Sequence, residues 1–222
     1  MTPEIEIGED GLSMLLAGHR VPRETWERLE QLADLIRHWQ KAKNLVSTSD
    51  LDHLWQRHIL DSAQLALLFP EAKRWLDLGS GGGLPGLVTA IMLGNKPGAH
   101  VTLVESNQRK CAFLRTAIRE TGAPAEVRCE RIDSVTQHFS APLDAVSARA
   151  LASLEILCGM VAPLVQKGTR AVFHKGRNFE EELQNASKSW VIDLIRYPNM
   201  VVRDGVIVEI RQLRPAGNKT HG

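Results

Sequence analysis

One aspartate and a run of glycines carry the most chemistry in this sequence. Asp77 stands in the apolar stretch Arg74-Trp75-Leu76-Asp77-Leu78, and Gly79-Ser80-Gly81-Gly82-Gly83-Leu84-Pro85-Gly86 follows directly. The pattern reads as a buried strand breaking into a glycine loop that opens a helix. Glycines let the backbone turn sharply and approach a ligand closely. Pro85 has the fixed φ and missing donor tolerated at a first helical position, and the free amides beyond it favour an anionic group. A small cofactor is expected on this loop. Residues 81–86 nominally fit G-x-G-x-x-G, the spacing of dinucleotide sites, but that pattern alone is weak. In such sites the first glycine closes the apolar strand, whereas here the strand ends at Gly79 and a carboxylate stands two residues before it. A carboxylate suits a cationic or hydroxyl-rich ligand better than a pyrophosphate, because like charges repel at short range in a partly dry crevice.

The elements that must position this loop follow from periodicity. Strands are predicted over 74–78, 101–105, 125–131, 144–149 and 170–174, alternating with helices that begin near Leu84, Asn107, Leu154 and Phe179. That order implies a parallel sheet with right-handed crossovers. Two further strands, over 191–197 and 206–212, have no helix of useful length between them and suit an antiparallel end of the sheet. The expected fold is α/β, a Rossmann-like sheet of about seven strands. Ligands on such sheets bind outside the carboxyl ends of the strands, where Glu105 ends the second strand. There it can accept bonds from both ribose hydroxyls of a nucleoside, or cap the helix starting near Asn107; the two roles are compatible.

Ahead of the sheet, Trp26, Leu29, Ala33, Ile36 and Trp39 recur at helical spacing over residues 23–44, and a second helix is predicted over 50–69, closed by Pro70. The expected organisation is a helical extension over 1–70, a catalytic domain over 71–214 and a disordered tail over 215–222. Trp26 and Trp39 could stack on bases, but their spacing favours core packing.

Composition bounds the function. The 222 residues are 43% hydrophobic and 24% charged, enough for one sizeable core plus an appendage. Cys111, Cys129 and Cys158 are too few and too scattered for a disulfide framework or a zinc site. No metal is expected: His53 and His58 lie five apart, off the i, i+4 spacing of a helical ligand pair. Residues 1–11 do not read as a signal peptide, and no run of apolar residues is long enough to span a bilayer, so a cytoplasmic location without membrane contact is expected. With 27 Lys and Arg against 26 acids, the formal net charge of +1 does not advertise a general phosphate binder. Any RNA contact must be local. The densest basic group, Arg109, Lys110, Arg115 and Arg119, is spread around a predicted helix and is as readily a solvated, salt-bridged face.

The D-x-G-x-G-x-G pattern resembles the first motif of S-adenosylmethionine-dependent methyltransferases. Further blocks sharpen that likeness: residues 39–45 (Trp-Gln-Lys-Ala-Lys-Asn-Leu), 57–62 (Arg-His-Ile-Leu-Asp-Ser), 109–115 (Arg-Lys-Cys-Ala-Phe-Leu-Arg), Ser147-Ala148-Arg149-Ala150, and Lys175-Gly176. Together they resemble the bacterial 16S ribosomal RNA guanine-N7 methyltransferases, the family also called glucose-inhibited division protein B, over most of the chain. The resemblance implies methyl transfer from S-adenosylmethionine to N7 of one guanine near the decoding centre of the small subunit. The substrate would be 16S rRNA or a small ribosomal subunit, including an assembly intermediate, with the enzyme acting as a monomer. It implies a cofactor site at Asp77, Gly79, Ser80, Gly81, Gly83, Leu84, Glu105, Ile132, Asp133 and Arg149, with Ile132 and Asp133 flanking the adenine. Arg131, Arg149 and Lys175 would contact the substrate nucleotide. Two positions depart from the family pattern: Gly82 stands where many members carry proline, and an arginine common before the last strand has only Arg203 as its nearest counterpart.

Guanine N7 holds an in-plane lone pair and has no proton to lose, so attack on a sulfonium methyl needs no general base, and alignment alone can contribute roughly 7–11 kcal/mol. Ser147-Ala148-Arg149-Ala150 lacks the Asn/Asp-Pro-Pro-aromatic run of amino-group methyltransferases, which disfavours adenine N6 as acceptor. Arg149 could direct two parallel donors at guanine O6 or a phosphate, or simply pair with a nearby acid. His58, beside Ile59 and Leu60, reads as a packed neighbour, and Lys175 and Arg177 as a phosphate clamp or a solvated basic loop. The loop and Glu105 report the cofactor and not the acceptor, so a small-molecule methyltransferase, a dinucleotide-dependent oxidoreductase and a non-catalytic RNA-binding module are the competing readings.

Overall fold

The computed structural model describes residues 21–43, 45 and 48–217. Its centre is a seven-stranded sheet in the order β3-β2-β1-β4-β5-β7-β6. The strands are β1 (Arg74–Leu78), β2 (His100–Val104), β3 (Ala125–Arg128), β4 (Ala145–Arg149), β5 (Arg170–Lys175), β6 (Trp190–Pro198) and β7 (Val206–Pro215). The first five pair in parallel, and β7 runs antiparallel to both β5 and β6. Strand order reverses between the parallel neighbours β1 and β4, the position at which α/β sheets open a crevice for ligands.

Helices cover both faces. α1 (Arg23–Lys43), α2 (Asp61–Leu68), α3 (Gly86–Leu93) and α4 (Gln108–Thr121) supply one layer; α5 (Ile132–His138), α6 (Leu154–Val165) and α7 (Phe179–Ser189) supply the other. Side-chain alternation in β1 divides the core. Trp75 joins the cluster holding Leu29 and Ile36 of α1, Val88 and Ile91 of α3 and Phe113 and Leu114 of α4. Leu76 and Leu78 join Val146, Leu157, Cys158, Val161 and Phe173 on the opposite face. The helical preface thus shares one core with the sheet. Each fully buried Leu, Ile or Phe contributes about 1.5–3 kcal/mol through removal of apolar surface from water. Trp26 stacks on Trp55 with ring centroids 4.8 Å apart, and Trp39 meets Phe113 edge-on at 5.8 Å, so both tryptophans pack within the protein.

Three local differences from the predicted elements bear on function. The helix expected over 50–69 is broken into a 3-10 turn (Thr48–His53), a π-helical turn (Trp55–Leu60) and α2. Wide π turns re-aim side chains and often mark functional sites. The third strand stops at Arg128 instead of Arg131, and the short helix α5, with only Val135 and Thr136 buried, follows where no helix was anticipated. In the segment 215–222, Pro215 still ends β7 and the Ala216 amide donates to the Ser189 carbonyl at 2.8 Å, while residues 218–222 lie outside the described ones. Among the described residues, no helix is long and apolar enough to cross a membrane.

Candidate active site

Two cavities open at the carboxyl ends of the strands and share the wall made by Ala150 and Leu151. The smaller, about 310 Å³, lies over β1 and β2 and is lined by Gly79, Gly81, Glu105, Lys110, Glu130, Arg131, Ile132, Asp133 and Met160. The larger, about 690 Å³, lies over β4 and β5 and includes Asp61, Arg149, His174, Lys175, Glu182 and Asn199. Ala150, on the shared wall, adopts φ +51°, a left-handed conformation unusual for a residue with a Cβ.

Backbone shape builds the smaller cavity. Gly79 has φ +67°, a conformation that favours glycine, and a Cβ there would come within 2.7 Å of Leu151 Cδ1, so a side chain would strain the turn and displace the leucine tip. The Ser80 amide donates to the Val104 carbonyl at 3.0 Å and the Gly83 amide to the Ser80 carbonyl at 2.7 Å, tying the loop to the end of β2. Glu105 completes the link: Oε2 accepts from the Gly81 amide at 3.0 Å and Oε1 from the Asn107 amide at 2.8 Å. Asn107, in turn, caps α4 by accepting from the Arg109 and Lys110 amides. The Glu105 carboxylate therefore supports the start of α4 and faces the cavity as well.

Asp77 lies beneath the loop and lines neither cavity. It is fully buried, with Oδ1 accepting from the Ser147 hydroxyl at 2.7 Å across the β1–β4 pairing that sets these two residues side by side. Burial pushes its pKa up to about 6, opposed by Ser147, Ser80, the Gly86 amide and the charge of Arg149. At Gly86 a Cβ would come within 2.5 Å of the Asp77 Cβ, so helix α3 starts in direct contact with this carboxylate. Ser80, Gly83 and Leu84 likewise form the buried side of the loop: Ser80 donates to the Asp77 carbonyl at 3.1 Å, and a Cβ on Gly83 would sit 2.9 Å from that of Leu87. Of the predicted cofactor residues, Gly79, Gly81, Glu105, Ile132 and Asp133 reach the smaller cavity, and Arg149 reaches the larger one.

Side chains from distant elements build the larger cavity. Arg149, at the end of β4, donates Nη1 to the Arg57 carbonyl at 3.0 Å and to Asp61 Oδ2 at 3.2 Å, and Nη2 to His58 Nδ1 at 2.7 Å. Three of the guanidinium's five N–H donors are thus committed to the π turn and the start of α2. Its outward fork is incomplete, so a bidentate grip on guanine O6 through both terminal nitrogens is excluded in this arrangement. Lys175 is also engaged: Nζ donates to the Ala152 carbonyl at 3.1 Å and pairs with Glu182 at 2.5 Å. Arg131, by contrast, is 81% exposed and lies 4.0 Å from Asp133. Arg177 is exposed and paired with Asp204 at 3.4 Å, Arg203 is exposed, and Lys110 alone of the basic group on α4 lines a cavity.

Sequence patterns did not single out His174, Glu182 or Asn199. His174 is buried, with Nε2 donating to the Asp61 carbonyl at 2.9 Å. Burial holds its pKa below the ordinary value, and the Arg149 charge adds to this against the pull of Asp61, so the ring is neutral near pH 7. Burial also pushes the Cys158 thiol up to about 12, leaving no thiolate there at neutral pH. Among the described residues, no group of three or more His, Cys, Asp or Glu side chains could hold a metal ion.

The GidB family, described as rRNA small subunit methyltransferase G, matches residues 25–207. Among similar proteins, Ribosomal RNA small subunit methyltransferase G of Parvibaculum lavamentivorans is 48% identical over 202 residues, covering 90% of this chain and 89% of its own. That of Allorhizobium ampelinum is 46% identical over 200 residues, covering 89% and 94%. Solved structures share the fold at lower identity. An O-methyltransferase from Bacillus cereus in complex with SAH is 14% identical with a TM-score of 0.60, covering 92% of this chain and 96% of its own. The O-methyltransferase TomG from Streptomyces achromogenes, in complex with SAM, is 15% identical with a TM-score of 0.56, covering 83% and 89%.

Proposed function

The chain belongs to the small-subunit ribosomal RNA methyltransferase G family, and from that premise we propose that it transfers a methyl group from S-adenosylmethionine to N7 of one guanine in 16S rRNA. The observation that supports this reading is the pair of cavities meeting at Ala150 and Leu151, which we assign one to the donor and one to the nucleotide.

The donor cavity suits S-adenosylmethionine on its own chemistry. Glu105 offers a carboxylate to a ribose diol, Ile132 and Met160 offer apolar walls to an adenine, and Glu105, Glu130 and Asp133 together favour a ligand with cationic groups over a pyrophosphate. The turn at Gly79 and Gly81 lets a ligand approach the backbone without a side chain at either position. Bound there, the donor supplies an electrophilic sulfonium methyl. The protein's part is to hold the acceptor: Arg149 stands at the junction, and its two N–H groups left without a protein partner among the described residues are free to orient the base edge or a neighbouring phosphate. A neutral His174 avoids adding a second positive charge beside a base that becomes cationic on N7 methylation. Alignment of nucleophile and methyl is the main catalytic effect, with a ceiling of roughly 7–11 kcal/mol.

The acceptor is 16S rRNA within a small subunit or its assembly intermediate, which sets the cytoplasm as the place of action. We take the active unit to be a monomer, a reading supported by the lining of both cavities coming from one chain. Incubation with tritium-labelled S-adenosylmethionine and small subunits from cells lacking this protein tests the reading. Label in 16S rRNA, with thermal stabilisation by the donor and not by NAD, is the expected result; label only in small metabolites contradicts it.

A further inference from the structure

Asp61, the aspartate of the block 57–62, bonds to Arg149, His174 and Asn199, three residues that line the acceptor cavity with it. It opens α2 where the π turn ends, and its side chain is 6% exposed. Its two oxygens take different partners. Oδ2 accepts from Arg149 Nη1 at 3.2 Å, and Oδ1 accepts from Asn199 Nδ2 at 2.5 Å and from Gln64 Nε2 at 3.3 Å. Its backbone carbonyl accepts from His174 Nε2 at 2.9 Å. Asn199 in turn organises the loop between β6 and β7: its Oδ1 accepts from the Val201 and Val202 amides at 2.8 and 2.7 Å, while Gln64 Oε1 accepts from the Met200 amide at 2.8 Å. The same loop supplies Asn199, Val202 and Gly205 to the rim of the larger cavity.

Building on the acceptor reading above, we infer that Asp61 is the positioning residue of the acceptor cavity, its carboxylate fixing Arg149 on one oxygen and the loop 199–205 on the other. A buried carboxylate needs both a compensating charge and hydrogen bonds to its remaining lone pairs. Arg149 provides the charge, and Asn199 and Gln64 provide the bonds. Each partner is held because the other is present, so the guanidinium at the junction and the rim opposite it are set as a unit. Asp61 acts through Arg149 and the loop and does not itself touch the reacting atoms.

The test uses Asp61→Asn in the full chain. The amide still accepts from Asn199 through Oδ1, but turns a nitrogen towards Arg149 and loses the ion pair. Displacement of an aligning group by about 1 Å costs on the order of 100-fold, so kcat for transfer to small subunits is expected to fall on that scale while donor affinity changes less than about twofold. Asn199→Ala, on the half-buried loop, is the second variant, and hydrogen–deuterium exchange of residues 199–205 should accelerate about tenfold as bonds to that loop are lost. Unchanged kcat in Asp61→Asn, a change confined to KM, or unaltered exchange in Asn199→Ala overturns the inference. If the wild-type protein transfers nothing to ribosomal RNA, the acceptor reading fails. The exchange experiment and the reactivity of Arg149 to a guanidine-specific reagent, which should rise in Asp61→Asn, then judge the inference separately.

Discussion

The cavities proposed for the donor and the acceptor are made in opposite ways. The first is backbone: a loop with φ values of +67°, +52° and +85° at Gly79, Gly81 and Gly83, pinned by one carboxylate from the adjoining strand. The second is side chain on side chain, with Arg149 bonded to Asp61 across 88 positions and Asn199 to Asp61 across 138. A donor shared by many methyltransferases is met by a local and portable device. The proposed acceptor cavity rests on contacts that join preface, sheet and terminal loop, which on this reading is where specificity resides.

Breaking that division should separate the two functions. The largest effect is expected from Arg149→Ala, which removes the aligning cation from the junction. Loss of one preorganised donor costs about 10²–10³-fold in kcat, whereas donor affinity by calorimetry should hold. An equal loss of donor binding would show that the two cavities are not independent.

Asp77→Asn probes the floor of the donor loop. Its carboxyl is raised from 3.8 to about 6, so the folded protein keeps a proton that the unfolded chain has lost within that window. Stability therefore falls as pH rises from about 4 to about 6 and stays lower above it, by up to about 3 kcal/mol. The amide variant should lack this slope and be the more stable protein at pH 8, as measured by urea unfolding across pH 4–8. A wild-type stability that is flat across the window would place the carboxyl in a more polar setting than its burial indicates.

Glu105→Gln sharpens the donor side at smaller scale. Hydrogen bonds to a charged group contribute about 1.5–3 kcal/mol, and the amide keeps part of this, so donor affinity should weaken about tenfold with kcat at saturation unchanged. Smallest of all, Arg131→Ala removes an exposed cation, and its contribution to RNA binding should be about threefold, with the salt dependence of KM reduced by about one counterion. A larger effect on the donor than on RNA would make Arg131 part of the donor site in the smaller cavity it lines, and not an RNA contact.

The donor half was legible in the sequence because its signals are local. An apolar strand ending in Asp-Leu-Gly, a glycine run and an acid closing the next strand are all readable within a few dozen residues, and the strand–helix alternation fixes the sheet around them. The acceptor half was legible only in pieces. The block 57–62 was visible as a motif, yet its π-helical geometry and the aim of Asp61 depend on β4, β5 and the loop after β6, none of which is near it in sequence. Arg149 and the block 57–62 were each marked, but not their pairing, which changes what the guanidinium can offer a nucleotide. Helix α5 escaped because seven mostly exposed residues leave little periodic signal.

The most direct test is chemical mapping of the acceptor atom. Small subunits from cells lacking this protein are incubated with the purified enzyme and S-adenosylmethionine, and 16S rRNA is then reduced with borohydride and cleaved with aniline, which cuts at N7-methylguanine. A single new cleavage site that depends on both enzyme and donor is the predicted result. Incorporation of methyl into the RNA without a cleavage, or cleavage unchanged from the untreated RNA, contradicts transfer to guanine N7.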